Sequence, residues 1–247
     1  MRTGQRSEVL MTTTLDEDTR RAVAKWLFQS AMGVIGYGAL IFLSAGTIAW
    51  LWGWVLLVVI TLFLVGQVVV LYPDKLDLLV ERQKGLRDEG VKRWDRWIAA
   101  FAAGVFPIIS WIVAGLDMRW GWTKGLPLLV HLFALVIMLL GFGIFLWAMR
   151  SNAFFSEGVR IQSERGHQVA TQGPYRHIRH PGYSGAILGV FAAPFLLGSL
   201  WALIPAAIAA CLYVVRTFLE DRTLQDELPG YQAFCKTTRY RLFPGIW

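Results

Sequence analysis

Four stretches of about twenty apolar residues, each bounded by polar segments, limit the possible folds of this chain. They cover 27–51, 54–72, 98–116 and 126–149. A helix that crosses the hydrocarbon core of a bilayer needs about 20 apolar residues, so each stretch predicts a transmembrane helix. Only 17% of the residues are charged, against about 25% in soluble domains. A water-soluble globule is therefore excluded.

A further apolar region, 183–219, is too long for a single span. Pro194, the pair Gly198 and Ser199, and Pro205 interrupt it, and proline or glycine weakens a helix interior. We therefore predict a hairpin of two shorter or tilted helices. The predicted fold is an all-α integral membrane protein with four transmembrane helices, a C-terminal transmembrane helical hairpin, a cytosolic loop and a C-terminal helix.

The positions of the basic residues predict how the chain is oriented. Of the 24 Lys and Arg residues, 22 fall in 1–26, 73–97, 149–182 and 213–247, and only Arg119 and Lys124 fall in the remaining loops. Basic residues favour the cytoplasmic side of a membrane. We therefore expect a bacterial inner-membrane protein with both termini in the cytoplasm. The net charge of +7 is then explained by the basic cytoplasmic loops and does not indicate a nucleic-acid-binding surface.

Three regions follow from this division. Residues 1–26 mix both charge signs and lack a signal-peptide pattern, so we expect a cytosolic arm, within which Met11 is an alternative start. Residues 27–149 form the four-span region, and its loop 74–96 is expected to be a solvated surface helix. Residues 150–247 form the third region. Cys211 and Cys235 match no disulfide or metal pattern, and no metal is expected.

Several isolated features within the spans have structural explanations. Gly33, Gly36 and Gly38 lie in an apolar helix with no preceding strand, which favours close helix packing over a phosphate loop. His131 and Gln67 are single polar groups, and each is expected to bond a neighbouring helix.

Ionisable residues concentrate between 151 and 183, where three His, two Tyr and four Arg occur. Gly173-Pro174 and His180-Pro181 favour extended or turn backbone, because a residue before proline avoids the α region. A plain connector between two spans needs none of these residues. A rigid polar loop at the membrane edge is typical of a binding site.

A second concentration of charge follows the hairpin. Arg216 and Glu220 are four residues apart and share a helix face, so an ion pair at the membrane edge is the simplest interpretation. The next charged residues are expected to be solvated: Asp221, Arg222, Asp226 and Glu227.

Three motifs in this region resemble a known family. They are Gly173-Pro-Tyr-x-x-x-Arg-His-Pro-x-Tyr-x-Gly185, Arg216-Thr-x-x-Glu220 and Pro-Gly-Tyr231. Together they resemble the isoprenylcysteine carboxyl methyltransferase family, and the related phospholipid methyltransferases share part of the pattern. The resemblance covers about 140–247. It marks 150–247 as the catalytic region.

The resemblance implies a methyltransferase that binds S-adenosylmethionine without a Rossmann domain, under a cytosolic loop that caps the cofactor. Arg216 would orient the substrate. In the family the residues just after this arginine are more acidic, whereas Phe218 and Leu219 stand here, which leaves the acceptor open. The residues implied to bind the cofactor are Gln162, His167, Gln168, Val169, Ala170, Tyr175, His180, Pro181, Gly182, Tyr183 and Glu220.

The leading functional hypothesis is methylation of a carboxylate on a small or lipophilic acceptor that arrives from the bilayer. A carboxylate is ionised at neutral pH and needs no general base. An aminophospholipid acceptor would need one, and a thiol acceptor is a third alternative. A non-catalytic membrane scaffold is the competing hypothesis from another class; a transporter is disfavoured because no internal repeat is visible. A general base would come from His167, His177, His180, Glu220 or Asp221.

Overall fold

The computed structural model describes residues 17–72, 74–83 and 85–247. Within these ranges the fold is all-helical, and a single isolated β-bridge joins Ile178 to Tyr240. The possible start at Met11 lies outside the described residues. The α-helices are α1 (Glu17–Ala45), α2 (Leu51–Leu71), α3 (Asp77–Gln83), α4 (Arg93–Ala100), α5 (Phe106–Trp120), α6 (Leu128–Ser151), α7 (Pro181–Leu197), α8 (Leu203–Glu227) and α9 (Tyr231–Thr237).

Five helical segments of the described chain are long and apolar enough to cross a membrane. The third of them is continuous, because a π-helical turn at Phe101–Val105 joins α4 to α5. The predicted all-α class and the integral membrane character are confirmed. The five segments are Arg20–Ala45, Leu51–Leu71, Arg93–Trp120, Leu128–Ser151 and Leu203–Glu227.

Helix α1 begins before the apolar stretch 27–51 and ends before that stretch does. Helix α1 begins at Glu17, because Arg, Lys and Glu are good helix formers and do not stop a helix. It ends at Ala45, and Gly46 adopts a left-handed φ of 68° before α2 begins at Leu51. The apolar run crosses this break, so hydropathy alone does not reveal it.

The hairpin is present, but only its first helix is short. Helix α7 has 17 residues and ends at Gly198, whose φ of 82° closes the helix. Helix α8 has 25 residues, because it continues beyond the apolar region into the charged residues up to Glu227. Pro205 lies in the first turn of α8. A backbone N–H in the first turn has no acceptor within the helix, so the N–H that proline lacks is not missed there.

The segment 74–96 is not the solvated surface helix that its charges predicted. It holds the short α3, a 3₁₀ turn at Gly85–Arg87 and the first turn of α4. Leu78 and Leu79 are fully buried, and they pack in a cluster with Leu71 and Met149. The segment therefore covers the ends of α2 and α6.

Helices α6 and α7 approach each other through glycines. A Cβ atom on Gly185 would lie 2.3 Å from the Gly141 carbonyl oxygen, and one on Gly141 would lie 2.7 Å from the Gly185 carbonyl oxygen. Small residues allow such close backbone contact in membrane helices. This contact places the end of α6 beside the beginning of α7, where the polar loop leaves and returns.

The isolated polar and glycine residues behave differently from one another. His131 Nδ1 lies 2.8 Å from the Leu196 carbonyl oxygen, and its ring stacks on Trp52, so its predicted bond to a neighbouring helix is confirmed. Among the glycines of α1, only Gly38 lies near another helix: a Cβ atom there would lie 3.3 Å from the Leu57 side chain. Close packing therefore explains Gly38 but neither Gly33 nor Gly36.

Candidate functional site

A pocket lies where the end of α6, the start of α7 and the last turns of α8 meet. It encloses about 780 Å³ of space free of protein atoms, a volume that includes open solvent. Its wall combines apolar, aromatic and ionisable side chains: Asn152, Phe154, Phe155, Ser156, Gly158, Val159, Arg160, His167, Gln168, Val169, Ala170, Tyr175, Arg179, His180, Gly182, Tyr183, Glu220, Leu224, Leu228, Tyr231 and Phe234.

The loop between α6 and α7 forms one wall by folding back on the end of α6. The Asn152 Oδ1 atom accepts a hydrogen bond from the Phe154 backbone N–H at 2.8 Å, and its Nδ2 donates to the Tyr175 hydroxyl at 3.3 Å. Gly173 has a φ of 59°, and a Cβ atom there would lie 2.2 Å from Ser151 Oγ. Only glycine fits this position.

His167 belongs to this wall as a neutral imidazole. Its ring stacks on Phe154 with centroids 4.5 Å apart, and Nδ1 accepts a hydrogen bond from the Gln162 backbone N–H at 3.3 Å. Burial, followed by the nearby Arg160 and Arg165 guanidiniums, lowers the pKa of His167 to about 4. His167 is therefore uncharged at neutral pH.

Two residues implied to bind the cofactor lie off the pocket wall. Gln162 is fully buried; its Nε2 donates to the Phe154 carbonyl oxygen at 2.8 Å, and its Oε1 accepts from Arg165 at 2.7 Å. Pro181 is buried in the first turn of α7. Gln162 holds the loop in shape, and Pro181 starts the helix.

Asp221 is not the solvated charge that its sequence context predicted. It is fully buried. It lies at the centre of a cluster in which Arg241 Nε donates to Oδ2 at 2.8 Å and the Tyr231 hydroxyl donates to Oδ1 at 3.0 Å. His180 Nε2 lies 3.2 Å and Arg179 Nε 3.4 Å from Oδ1. These partners hold Asp221 inward, and its charge alone does not predict that direction.

Tyrosine hydroxyls in and around this cluster remain protonated. Burial raises the pKa of Tyr175, and burial together with the Asp221 carboxylate raises the pKa of Tyr231. The Tyr231 hydroxyl is therefore a donor to Asp221 across the ordinary pH range.

Residues 240–242 hold the end of the loop and the start of α7 through backbone carbonyl oxygens. The backbone N–H of Arg179 donates to the Tyr240 carbonyl oxygen at 2.9 Å, and that of His180 donates to the Arg241 carbonyl oxygen at 2.9 Å. Ser184 Oγ donates to the carbonyl oxygen of Leu242 at 2.6 Å. These contacts fix the start of α7.

Arg216 and Glu220 do not form the ion pair that their spacing suggested. Arg216 pairs instead with Asp95 of α4, through Nε to Oδ1 at 2.7 Å and Nη2 to Oδ2 at 2.9 Å. Glu220 accepts a hydrogen bond from the Tyr183 hydroxyl. The Tyr183 ring also covers the Arg216 guanidinium, with Cζ 5.0 Å from the ring centroid. Tyr183 thus connects Arg216 to Glu220.

The two arginines on the pocket wall differ in how well they are neutralised. Arg160 is paired with Glu81, with Glu164 at 2.7 Å and with Asp88 at 3.7 Å. These carboxylates raise its pKa although burial acts to lower it. Arg179 Nη1 donates to the sulfur of Cys235 at 2.7 Å, a weak acceptor, and its buried Nε makes no hydrogen bond to the described residues.

The structure thus brings nine of the eleven implied cofactor residues to one pocket; their binding role stays a prediction. Gln162 and Pro181 lie behind the wall, and Arg216 lies behind Tyr183. Sequence reasoning missed Arg179, although it belongs to the quoted motif, and Asp95, which no short motif contains. It also missed several apolar and polar wall residues: Asn152, Phe154, Phe155, Arg160, Leu224 and Phe234.

The wall can hold a ligand with a flat apolar part, a cation and an anion. Aromatic side chains offer stacking surfaces, the carboxylate of Glu220 suits a cation or hydroxyls, and Arg179 has donors for an anion. Among the described residues, no group of three or more His, Cys, Asp and Glu side chains is arranged to hold a metal ion.

Comparison with protein families matches residues 129–228 to the family described as phospholipid methyltransferase. The matched region runs from the start of α6 to the end of α8, so it contains α7 and most of the pocket wall. It stops before Tyr231 and excludes Asp95. A search of curated proteins gives no match.

Proposed function

We propose that this chain, whose residues 129–228 match the phospholipid methyltransferase family, is a membrane methyltransferase that uses S-adenosylmethionine to methylate a carboxylate on a small or lipophilic acceptor. The observation that carries the proposal is the convergence of nine implied cofactor residues on one pocket at the edge of the apolar helices. A scaffold that merely kept the fold would need no such pocket.

The chemistry of the pocket wall fits this cofactor. S-adenosylmethionine supplies a methyl group on a positively charged sulfonium, and the charge is lost on transfer. Phe154 and Phe234 offer apolar surface for an adenine ring, Glu220 suits the ribose or the amino group, and Arg179 suits the carboxylate. The protein's part is to position the reactants and to exclude water.

Arg216 is the residue that favours a carboxylate acceptor. Its Nε and Nη2 atoms are occupied by Asp95 and by the Glu157 carbonyl oxygen, whereas Nη1 makes no hydrogen bond to the described residues. Its guanidinium lies against Tyr183, which lines the pocket. An arginine N–H in this position can orient an anionic acceptor.

The two histidines on the pocket wall are poorly suited to act as a base, which supports the same acceptor. His167 has a pKa of about 4 and is a weak base. His180 Nε2 already lies within 3.3 Å of the Asp221 carboxylate and the Tyr231 hydroxyl. A carboxylate acceptor needs no proton removed, whereas an ammonium acceptor does.

N-methylation of an aminophospholipid is the second candidate. The description of the matching family favours it, and Glu220, the carboxylate on the pocket wall, suits an ammonium group. Products separate the candidates: alkali releases methanol from a methyl ester and leaves an N-methyl group in place. Membranes incubated with methyl-labelled cofactor supply the material for this assay.

Cofactor binding is the first test. We expect S-adenosylhomocysteine to bind the detergent-purified protein in calorimetric titration and to lose at least about tenfold in affinity in Glu220→Ala, because a hydrogen bond to a charged group contributes about 1.5–3 kcal/mol. Glu227→Ala, an exposed residue of the same helix that pairs with Lys92, is the matched control. Absence of binding by folded protein in lipid nanodiscs would favour the scaffold hypothesis.

A further inference from the structure

Asp95 is a fully buried carboxylate that the matched family region does not include. It lies in the first turn of α4, at the beginning of the third apolar segment. A buried carboxylate is costly unless it is paired and hydrogen-bonded. Its partners therefore indicate what it does.

Both oxygens of Asp95 are used by groups that border the pocket. Oδ1 accepts from Arg216 Nε at 2.7 Å, and Oδ2 accepts from Arg216 Nη2 at 2.9 Å and from the Val159 backbone N–H at 2.7 Å. Val159 lines the pocket. One carboxylate thus connects α4, α8 and the loop after α6.

This two-point contact determines how the guanidinium is turned. A planar guanidinium held through Nε and one terminal nitrogen cannot rotate about its stem, so the direction of the other terminal nitrogen is fixed. That nitrogen is Nη1, which makes no hydrogen bond to the described residues. The ring of Tyr183, which lines the pocket, has its centroid 5.0 Å from the Arg216 Cζ atom.

We propose that Asp95 is a positioning residue, which holds Arg216 so that Nη1 faces the acceptor carboxylate. The proposal rests on the proposed function. It predicts that Asp95 decides recognition of the acceptor and leaves cofactor affinity unchanged, since the hydrogen bonds of the Asp95 carboxylate to described residues go to Arg216 and Val159 and not to Glu220 or Arg179. A carboxylate that only stabilised the fold would affect both ligands together.

The test uses purified protein saturated with S-adenosylhomocysteine and two matched pairs of lipophilic probes. These are palmitic acid with methyl palmitate, and N-acetyl-S-farnesylcysteine with its methyl ester. Wild-type protein should bind at least one acid about tenfold or more tightly than its ester, in line with the strength of hydrogen bonds to charged groups. Tryptophan fluorescence or calorimetry measures the affinities.

Asp95→Asn should keep the affinity for S-adenosylhomocysteine within about twofold, and it should lose the preference for the acid as Arg216→Ala does. The double variant should be no worse than Arg216→Ala alone, because both changes remove one interaction. Asp95→Glu, which keeps the charge and moves it by one methylene, should fold even if Asp95→Asn does not, and should reduce the preference. The matched control is Asp74→Asn, which breaks the exposed pair with Arg150.

Each remaining result contradicts one proposal. If wild-type protein does not bind S-adenosylhomocysteine, the proposed function fails. If it binds the cofactor product but shows no acid preference with either pair, or if folded Asp95→Asn and Asp95→Glu keep the full preference, the positioning role is wrong. A loss of cofactor affinity equal to the loss of acid affinity would make Asp95 a structural residue only.

Discussion

The pair of Asp95 with Arg216 and the cluster around Asp221 are both buried at the edge of the pocket, yet only the first balances its charges. In the pair, one carboxylate meets one guanidinium through two hydrogen bonds. In the cluster, one carboxylate serves the guanidiniums of Arg179 and Arg241 as well as His180. The balanced pair fixes the orientation of the Arg216 guanidinium, whereas the unbalanced cluster leaves positive charge beside the pocket.

The two sites also differ in how much of the chain they join. Asp95 connects the first half of the chain to α8, and the family match does not reach it. Every member of the Asp221 cluster comes from residues 179–241. We infer that the cluster serves the cofactor, and that the pair serves the acceptor, which must arrive among the apolar helices.

The largest effect is expected from removing the centre of the unbalanced cluster. Asp221→Ala would leave the buried guanidinium of Arg179 and the partly exposed one of Arg241 without their carboxylate, and breaking a buried ion pair costs about 3–5 kcal/mol. For a chain of this size we expect an apparent Tm on the order of 10 °C lower. Thermal unfolding in detergent measures it. Asp226→Ala, exposed on the same helix, should change little; an equal loss in both variants would contradict the assignment.

Arg179 separates the ligand role of the cluster from its structural role. In Arg179→Gln the Asp221 carboxylate keeps Arg241, so we expect folded protein whose affinity for S-adenosylhomocysteine falls about tenfold or more. Titration of adenosine, which lacks the carboxylate, should be much less affected. Arg176→Gln, an exposed neighbour that contacts Gln172, is the control. Equal losses for both ligands would show that Arg179 shapes the pocket and does not bind the carboxylate.

The sequence predicted the parts of this arrangement that depend on local pattern. Runs of apolar residues are enough to predict membrane helices, and the dense motif between 173 and 185 predicts where the pocket lies. The break at Gly46 and the inward direction of Asp221 depend on packing that no local pattern records. The partner of Arg216 is 121 residues away in sequence, so spacing favoured the nearer and wrong partner, Glu220.

Pocket residues were missed for a related reason. Phe154 and Leu224 have the composition of ordinary membrane-edge residues, and only the fold brings them to the same wall. Arg179 offered a signal, since it stands inside the motif next to His180. Its unsatisfied Nε could not be known before its neighbours were placed.

A moderate effect is expected at the outer side of the Asp221 cluster. Arg241 is partly exposed, with 26% of its side chain accessible, so solvent replaces part of what a substitution removes. Arg241→Gln should lower the free energy of unfolding by about 1 kcal/mol. Affinity for S-adenosylhomocysteine should stay within about twofold. A loss of unfolding free energy as large as that of Asp221→Ala would show that Arg241, and not Arg179, is the main partner that stabilises the cluster.

The effect of His167 is absent at neutral pH and appears only in acid. Its pKa is about 4 in the folded protein and about 6.5 when unfolded, so between these values the unfolded chain binds more protons. The stability contributed by neutral His167 is complete above about pH 6.5 and is lost as the pH falls toward 4. His167→Asn keeps an acceptor for the Gln162 N–H and does not titrate, so its apparent Tm should fall less than that of wild type across this window. Carboxylates titrate in both proteins over this range. The difference between the two curves of Tm against pH therefore isolates the histidine. Parallel curves from pH 7 to pH 4 would mean that His167 stays accessible to protons, and that the wall on its side of the pocket is open.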